Sequence, residues 1–385
     1  MALERSFDQR GKERNSYELR TMPRMINLFL IVPLALFGVS QVRDNPRKPV
    51  HPDAGRVLGL VEVQRIKGED QAYFFEGARD LEIDSAGNLY VCDSWSSARK
   101  SRLLKFSPEG KFIKDLYRQG EGPGEILSIY DFGLSGSELY LYDMMKRKIV
   151  VMDTDGSFKA EFRKETSPFS DLLGVWRDWL VFLRADHPLE RKTSRLYDVR
   201  NVIILVSKDG KTEKELCAFT NQRFYISLAQ GGGAMNWDPF HAVIGGDQMF
   251  VCSAQNYEIQ ILDLETAKVF TSFKRDYPRV DHVARDWEKK FASEHNAPKR
   301  NHENDVNDLH FGGGFLWVLT STESKDKGFL YDLFDANGKF EDSFFVNLRG
   351  RILKIDGKFL FASISDENSL PLLVKYRITE PIGAR

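Results

Sequence analysis

The amino-acid sequence predicts an all-β fold, a six-bladed β-propeller of four-stranded antiparallel blades. One observation is a repeated unit of about 40 to 50 residues, in which short alternating strands are separated by turns. A second is that the last unit supplies only three strands. A third is a strand-like segment, RVLGLVEVQRI, that precedes the first unit and has no partner there.

The first unit sets the pattern of the others. Its turns, SAGN and SPEGK, place glycine where hairpins need a positive φ angle. Its four strands are predicted at Asp80–Ile83, Leu89–Cys92, Leu103–Phe106 and Phe112–Tyr117. Similar units begin near residues 78, 128, 171, 240, 305 and 350.

The missing strand of the last unit predicts how the ring closes. We expect residues 56–66 to be its outer strand, because closure of the ring removes an open sheet edge. The alternative is a stray linker strand, which the β-branched alternation of this segment disfavours. The propeller is therefore predicted to span residues 56–380.

Two insertions interrupt the repeat. Residues 184–201 lengthen a hairpin of the third unit, and residues 278–304 lie between the fourth and fifth units. In the second insertion Val283, Trp287 and Phe291 share one face of a predicted amphipathic helix. We expect this stripe to face the propeller rather than a partner helix or a membrane, because apolar stripes usually face a core.

The N-terminal residues predict export. Residues 26–39 form an uncharged apolar run with the length of a signal-peptide core, and Arg24 flanks it. Gly38 and Ser40 suit a cut before Gln41. An uncleaved membrane anchor or a buried core segment is the alternative. The resulting division is an upstream extension (1–25), a signal-peptide-like segment (26–40) and a linker (41–55), with the mature chain periplasmic or secreted, or else tethered to the membrane.

Composition and charge exclude several kinds of partner. The chain of 385 residues has 55 Lys and Arg against 56 Asp and Glu, a formal net charge of −1. This balance gives no net field to attract DNA, RNA or an anionic membrane. We therefore expect no nucleic-acid partner, and membrane contact only through an N-terminal anchor. Cys92, Cys217 and Cys252 are too few and too scattered for a zinc module or a disulfide framework, and are expected to be buried strand residues.

The stretch RQGEGPGEI, residues 118–126, has glycine spacing like that of a phosphate-binding loop. Strands rather than a helix follow it, and its glutamates would repel an anion. We interpret it as the passage between two blades. Gly122 and Gly124 permit the backbone conformation there. Pro123 stiffens the loop, and Glu125 bonds nearby amides.

The first unit and its exit loop also resemble a known family. They contain G-N-L-Y-V-x-D (Gly87–Asp93), a basic residue followed by K-F-x-x-x-G-K-F (Arg102 and Lys105–Phe112), and G-x-G-P-G-E (Gly120–Glu125). This pattern resembles the NHL-like six-bladed β-propeller proteins of bacteria, many of them exported. The other units agree mainly in strand rhythm, so the resemblance implies the fold more than an activity.

The resemblance also indicates where a ligand would bind. Ligands of propellers usually lie at the mouth of the central channel, among inner-strand starts and the loops that join blades. A wet channel without a ligand would be equally polar. The candidate ligand-binding residues at these positions are Arg79, Asp80, Tyr130, Asp131, His241, Asn307, Asp308 and His310.

Two catalytic families are implied as alternatives. Gluconolactonase-like propellers use a divalent metal to polarise a lactone, and Asp131, Asn307 and Asp308 could be calcium or zinc ligands of that kind. Streptogramin-lyase-like propellers use a histidine and a metal, for which His241 and His310 are the candidates. No glutamate can be placed beside the first set, and the sequence has no Gly-x-Ser-x-Gly elbow, His-Glu-x-x-His helix or Walker loop.

The sequence favours an exported, monomeric binding module that recognises a protein, peptide or glycan at the loop face and channel mouth, without a cofactor or catalysis. The alternative is a metal-dependent hydrolase or lyase acting on a small ester, lactone or sugar derivative. An exposed aromatic patch that includes Trp176, Trp237 or Trp287 would favour the binding module. Calcium or zinc held by Asp131 and Asp308 would favour the enzyme.

Overall fold

The structure is a computed structural model that describes residues 41–67, 77–93, 101–163, 170–186, 194–228 and 231–383. The upstream extension and the signal-peptide-like segment of the sequence analysis lie outside these described residues and stay predictions. Within the described ranges, no helix has the length and apolar character that a membrane span requires.

The described strands form six sheets of four or five strands, so the predicted all-β six-bladed propeller is confirmed. Three strands precede the first blade: β1 (Gln41–Asn45), β2 (Arg56–Val57) and β3 (Leu60–Lys67). Blade one holds β4 (Ala78–Ile83), β5 (Leu89–Asp93), β6 (Arg102–Phe106) and β7 (Phe112–Asp115). Blade two holds β8 (Asp131–Ser135), β9 (Glu138–Asp143), β10 (Lys148–Asp153) and β11 (Phe158–Arg163).

The remaining blades follow in chain order. Blade three holds β12 (Ser170–Trp176), β13 (Trp179–Asp186), β14 (Arg195–Ser207), β15 (Glu213–Leu228) and β16 (Gly231–Asn236). Blade four holds β17 (Phe240–Gly245), β18 (Gln248–Ser253), β19 (Glu258–Asp263) and β20 (Lys268–Arg275), and helix α1 (Asp286–His295) follows it. Blade five holds β21 (Val306–Gly312), β22 (Phe315–Ser324), β23 (Gly328–Phe334) and β24 (Phe340–Val346), and blade six holds β25 (Gly350–Asp356), β26 (Phe359–Ser365) and β27 (Pro371–Ile378).

The middle strands of the blades are buried on both faces, because neighbouring blades cover both sides of each sheet. LYVCD of β5 is buried throughout, as is nearly all of ELYLYD in β9. The outer strands β7 and β11 are mostly exposed. Gly87 and Gly110, in the turns of blade one, have φ angles of 84° and 78°, as these hairpins require.

The hydrophobic core consists of six clusters, each of which joins two neighbouring blades. Val91 of blade one packs with Phe361 of blade six, whereas Cys92 packs with Phe132 of blade two. Adjacent residues of one strand thus point into different clusters. The core is therefore continuous around the ring, and no blade can bury its apolar faces alone.

The inner strands surround the central channel in the order β4, β8, β12, β17, β21 and β25, and β25 contacts β4 again. The loops that join blades lead directly into the starts of these strands. We call the side of the propeller that carries these starts and loops the loop face.

The N-terminal segment closes the ring as predicted, because β3 pairs antiparallel with β27 and completes blade six. It also does more than predicted. β1 pairs in parallel with β20 of blade four, and β2 pairs in parallel with β24 of blade five. Residues 41–67, which we call the N-terminal strap, therefore run along the outer edges of three successive blades.

Two extensions rise from the loop face. The first is the far half of the β14–β15 hairpin, where Arg195 pairs with Tyr225, and to which β16 is added. The second is the segment around α1, closed at its base by backbone bonds from His282 to Asn301 (2.9 Å) and from Glu303 to Val280 (2.9 Å). Both extensions stand beside the channel mouth because both connect to inner-strand starts.

Candidate functional site

The structure groups three of the predicted channel residues between blades one and two. The Arg79 guanidinium lies 3.9 Å from the Asp131 carboxylate and 5.6 Å from the centre of the Tyr130 ring. It also donates to the Ile129 carbonyl at 3.2 Å. Asp131 accepts a further hydrogen bond, at 3.0 Å, from the Leu172 amide of blade three. These contacts hold a carboxylate and a guanidinium together at the channel mouth.

The Asp131 carboxyl group of this cluster has a strongly raised pKa. Burial, together with the charge of nearby Asp171, raises the pKa of Asp131 to about 7, although Arg79 acts in the opposite direction. Asp131 therefore changes charge near neutral pH.

We predict that Asp131 makes stability depend on pH. Since the folded pKa of Asp131 is raised from 3.8 to about 7, its contribution to stability is complete below about pH 4 and is lost as pH rises toward about 7. Asp131→Asn should thus reduce the loss of unfolding free energy between about pH 5 and about pH 8, as measured by urea titration at both values.

The control for this prediction is Asp178→Asn, which removes a fully exposed carboxylate near the surface. It should leave the pH dependence unchanged. An Asp131→Asn variant with the same pH dependence as the unmodified chain would contradict the assignment.

Asp80 and Asp308 occupy equivalent places in blades one and five. Each follows a β-bulge at the start of its inner strand, and each carboxylate accepts the amide of the next residue, Leu81 at 2.8 Å and Leu309 at 2.9 Å. The bulge turns the carboxylate toward the channel end of the strand. Burial raises the pKa of Asp80, while the cations around it oppose this shift.

The two predicted histidines lie near Asp308. The Nε2 atom of His310 is 3.5 Å from an oxygen of Asp308. Burial lowers the pKa of His310, and it also lowers that of His241, against the charges of Asp308 and Asp238. Both imidazoles are thus neutral at pH 7.

Two of the residues proposed as metal ligands are engaged by other groups of the protein. Asn307 is exposed and donates its amide to the Ser321 hydroxyl at 2.9 Å, so β22 engages it. Asp131 is engaged by Arg79 and Leu172. Across the described part of the chain, no three His, Cys, Asp or Glu side chains come together as metal ligands.

Sequence reasoning missed two channel contacts that involve blade six. The Lys354 ammonium contacts the Glu82 carboxylate of blade one, and Arg351 donates to the Arg79 carbonyl. The spacing Asp80 to Glu82, which places both on one side of the strand, could have identified the first contact. Its partner depends on the ring closing between blades six and one.

The loop RQGEGPGEI forms the passage from blade one to blade two. The Glu125 carboxylate accepts the Gly122 amide at 2.9 Å, and the Gly124 amide donates to Glu161 at 3.0 Å. Gly124 has a φ angle of 73°, and a β-carbon there would collide with the Phe158 ring. These contacts are internal to the fold.

A second candidate site is a cleft of about 650 Å³ on the loop face, between α1 and the returning segment 296–303. One residue of the apolar stripe, Phe291, contacts the blade-three extension. The centre of its ring lies 6.3 Å from that of Phe224. Trp287 is 57% exposed and Val283 is 82% exposed, so the expected packing of the whole stripe onto the propeller is wrong. The principal lining residues are Trp237, His282, Trp287, Glu288, Lys289, Phe291, Lys299, Arg300 and Glu303.

The three tryptophans named by the sequence analysis separate into two environments. Trp237 and Trp287 line the cleft together. Trp176 is buried in the core, where its indole nitrogen donates to Asp247 at 2.9 Å. The cleft therefore presents aromatic surface at the rim of the loop face.

The closed ring of six sheets defines the chain as a six-bladed β-propeller protein. Comparison with family models agrees, since the DUF5128 model, described as a 6-bladed beta-propeller, matches residues 80–227. Comparison with curated proteins gave no match.

Two of the solved structures that are similar to this chain illustrate the likeness. One is a candidate exported protein from Bacteroides fragilis, 14% identical, with a TM-score of 0.54 over 88% of this chain and 100% of that chain. The other is a member of the duf4221 family from Bacteroides vulgatus, 9% identical, with a TM-score of 0.56 over 85% of this chain and 99% of that chain. At these identities the likeness shows the fold alone.

Proposed function

We propose that this chain is an exported, NHL-like binding module that holds a protein, peptide or glycan on its loop face without catalysis. The observation that carries the proposal is the cleft beside α1, where the exposed Trp287 and the half-buried Trp237 face a common space. Two indoles that face one cleft form a concave aromatic surface of the kind at which ligands commonly bind.

Further observations from the sequence, a similar structure and the cleft itself support the proposal. The apolar segment at 26–40 has the form of a signal peptide. A structurally similar protein from Bacteroides fragilis is described as an exported protein. The sequence pattern of blade one supports the NHL-like assignment.

The cleft is held rigidly, because backbone bonds close the base of the α1 segment and Asn296 ends the helix in a left-handed conformation. A rigid cleft loses little conformational entropy on binding.

We predict that Trp287→Ala weakens ligand binding by roughly 30-fold or more without destabilising the fold. Removal of a buried aromatic contact from a ligand interface typically costs about 2 kcal/mol or more, roughly a 30-fold loss of affinity. Because Trp287 is 57% exposed, the melting temperature should stay within about 2 °C of the unmodified value. The measurement is a titration of the full chain against panels of oligosaccharides and peptides, followed by tryptophan fluorescence.

Val283→Ala is the matched control. Val283 is an exposed apolar residue on the same stripe, but it does not line the cleft. It should bind every panel ligand with unchanged affinity. Ligands that bind Trp287→Ala and the unmodified chain equally would place recognition elsewhere and contradict the proposed site.

A further inference from the structure

The acidic groups of the cleft are already satisfied by one histidine. The His282 ring lies between Glu303, whose carboxylate is 2.8 Å from Nδ1, and Glu288, whose carboxylate is 3.6 Å from Nε2. Glu288 also accepts the Arg285 amide at 2.5 Å, which caps the start of α1. Both carboxylates are thus engaged by groups of the α1 segment itself.

The basic groups of the cleft are not satisfied in the same way. The Arg300 guanidinium stacks on the Trp237 ring at 4.6 Å and donates to the Trp237 carbonyl and, at 3.2 Å, to Asn304. Among the described residues, no carboxylate lies within 4.0 Å of the charged groups of Arg300 or Lys299. Burial lowers the pKa of Arg300, although the carboxylates of Glu303, Asp238 and Glu288, all beyond 4.0 Å, act in the opposite direction.

A second cavity is lined by the same basic residues, Lys299 and Arg300. It has a volume of about 190 Å³, lies on the other side of the returning segment, and is lined by Trp237, Arg279, Lys299 and Arg300 among others. Arg279 is paired with Asp305 at 3.0 Å, so Lys299 and Arg300 are the available cations on both sides. The positive charge is therefore concentrated beside the Trp237 ring.

The backbone of the cleft walls offers few partners. The Ala297 amide donates to the Ala292 carbonyl at 3.2 Å, and the amides of His282 and Glu303 close the base of the segment. An extended peptide recognised through its main chain would find few free groups here. The cleft does offer aromatic faces and cationic side chains for recognition.

We propose that the cleft binds an acidic saccharide, with its carboxylate or sulfate group on Arg300 and Lys299 and the apolar face of a sugar ring on Trp287. This inference rests on the proposed function, because it assumes that the cleft is the binding site. Arg300 suits planar, bidentate recognition of such an anion, and its position on Trp237 pre-organises it. A cleft of about 650 Å³ is large enough for a short oligosaccharide.

The test is a calorimetric titration of the full chain with trigalacturonate, a sulfated galactan trisaccharide, neutral galactotriose and a short poly-aspartate peptide. We expect one of the acidic saccharides to bind at least about tenfold more tightly than galactotriose, and Lys299→Gln and Arg300→Gln each to weaken that binding about tenfold or more. Added salt should weaken it too. Lys211→Gln, at an exposed turn on the opposite face, is the control and should change nothing.

The outcomes separate this inference from the proposed function. The acidic-saccharide assignment would be overturned if neutral and acidic saccharides bound with equal affinity, or if neither acidic saccharide bound. It would also be overturned by tighter binding of the peptide, or by unchanged affinity in Lys299→Gln. The proposed function fails separately if binding survives Trp287→Ala. Because Arg300→Gln removes the contact with Trp237, its melting curve is compared with that of Lys299→Gln, whose exposed side chain has no structural role.

Discussion

Replacing Ile66 with alanine is expected to lower the free energy of unfolding by about 2–5 kcal/mol. Ile66 lies in β3 of the N-terminal strap, is 3% exposed, and packs with Phe361 and Leu373 of blade six and with Phe106 of blade one. The substitution leaves a cavity at the joint where the ring closes. Urea denaturation monitored by tryptophan fluorescence measures the loss.

Val63→Ala provides the matched control on the same strand. Val63 points outward and is 45% exposed, so its truncation should change stability by less than about 0.5 kcal/mol. Equal effects of the two substitutions would mean that β3 does not seal the joint between blades six and one.

Asp332→Ala is expected to lower the free energy of unfolding by about 3–5 kcal/mol. The Asp332 carboxylate, at 0% exposure, contacts the Arg275 guanidinium and accepts hydrogen bonds from Tyr257 at 2.7 Å and Ser343 at 2.8 Å. Its removal leaves the guanidinium of Arg275 buried without a counter-ion. Because Arg275 lies in blade four and Asp332 in blade five, the loss weakens the contact between blades.

The double variant Arg275→Met with Asp332→Ala separates the charge effect from the loss of packing. Since no unpaired charge remains, it should be more stable than Asp332→Ala alone. A double variant as unstable as the sum of the two single variants would show that the pair is not energetically coupled. Both measurements use the same denaturation experiment as Ile66→Ala.

Most of the fold could be predicted from the sequence repeat. Alternating apolar residues and turn glycines depend on local backbone geometry, so the strands of blade one could be located within a few residues. The missing strand of the last blade predicted the pairing of β3 with β27, because an open sheet edge is unfavourable. The parallel additions of β1 and β2 to blades four and five could not be predicted in the same way. They are long-range contacts, with Asn45 donating to Gly338 at 2.9 Å and accepting from Phe340 at 3.0 Å.

Less of the candidate site could be predicted from the sequence. The repeat could indicate that Asp80, Asp131 and Asp308 lie near the starts of inner strands, because strand order fixes where a strand begins. The periodicity of Val283, Trp287 and Phe291 predicted a helix, but not that Trp287 would stay exposed. The partner that completes the cleft, Trp237, is 50 positions away in sequence from Trp287, and the ring geometry alone brings them together.

The most direct test of the central claim, that the cleft beside α1 is the binding site, is hydrogen–deuterium exchange of the full chain with and without trigalacturonate or the tightest ligand of the panels. We predict slower exchange for residues 281–303 and around Trp237, with no change at the β14–β15 turn on the opposite face. Slower exchange confined to the channel residues around Asp131 and Asp308, or to the opposite face, would contradict the claim.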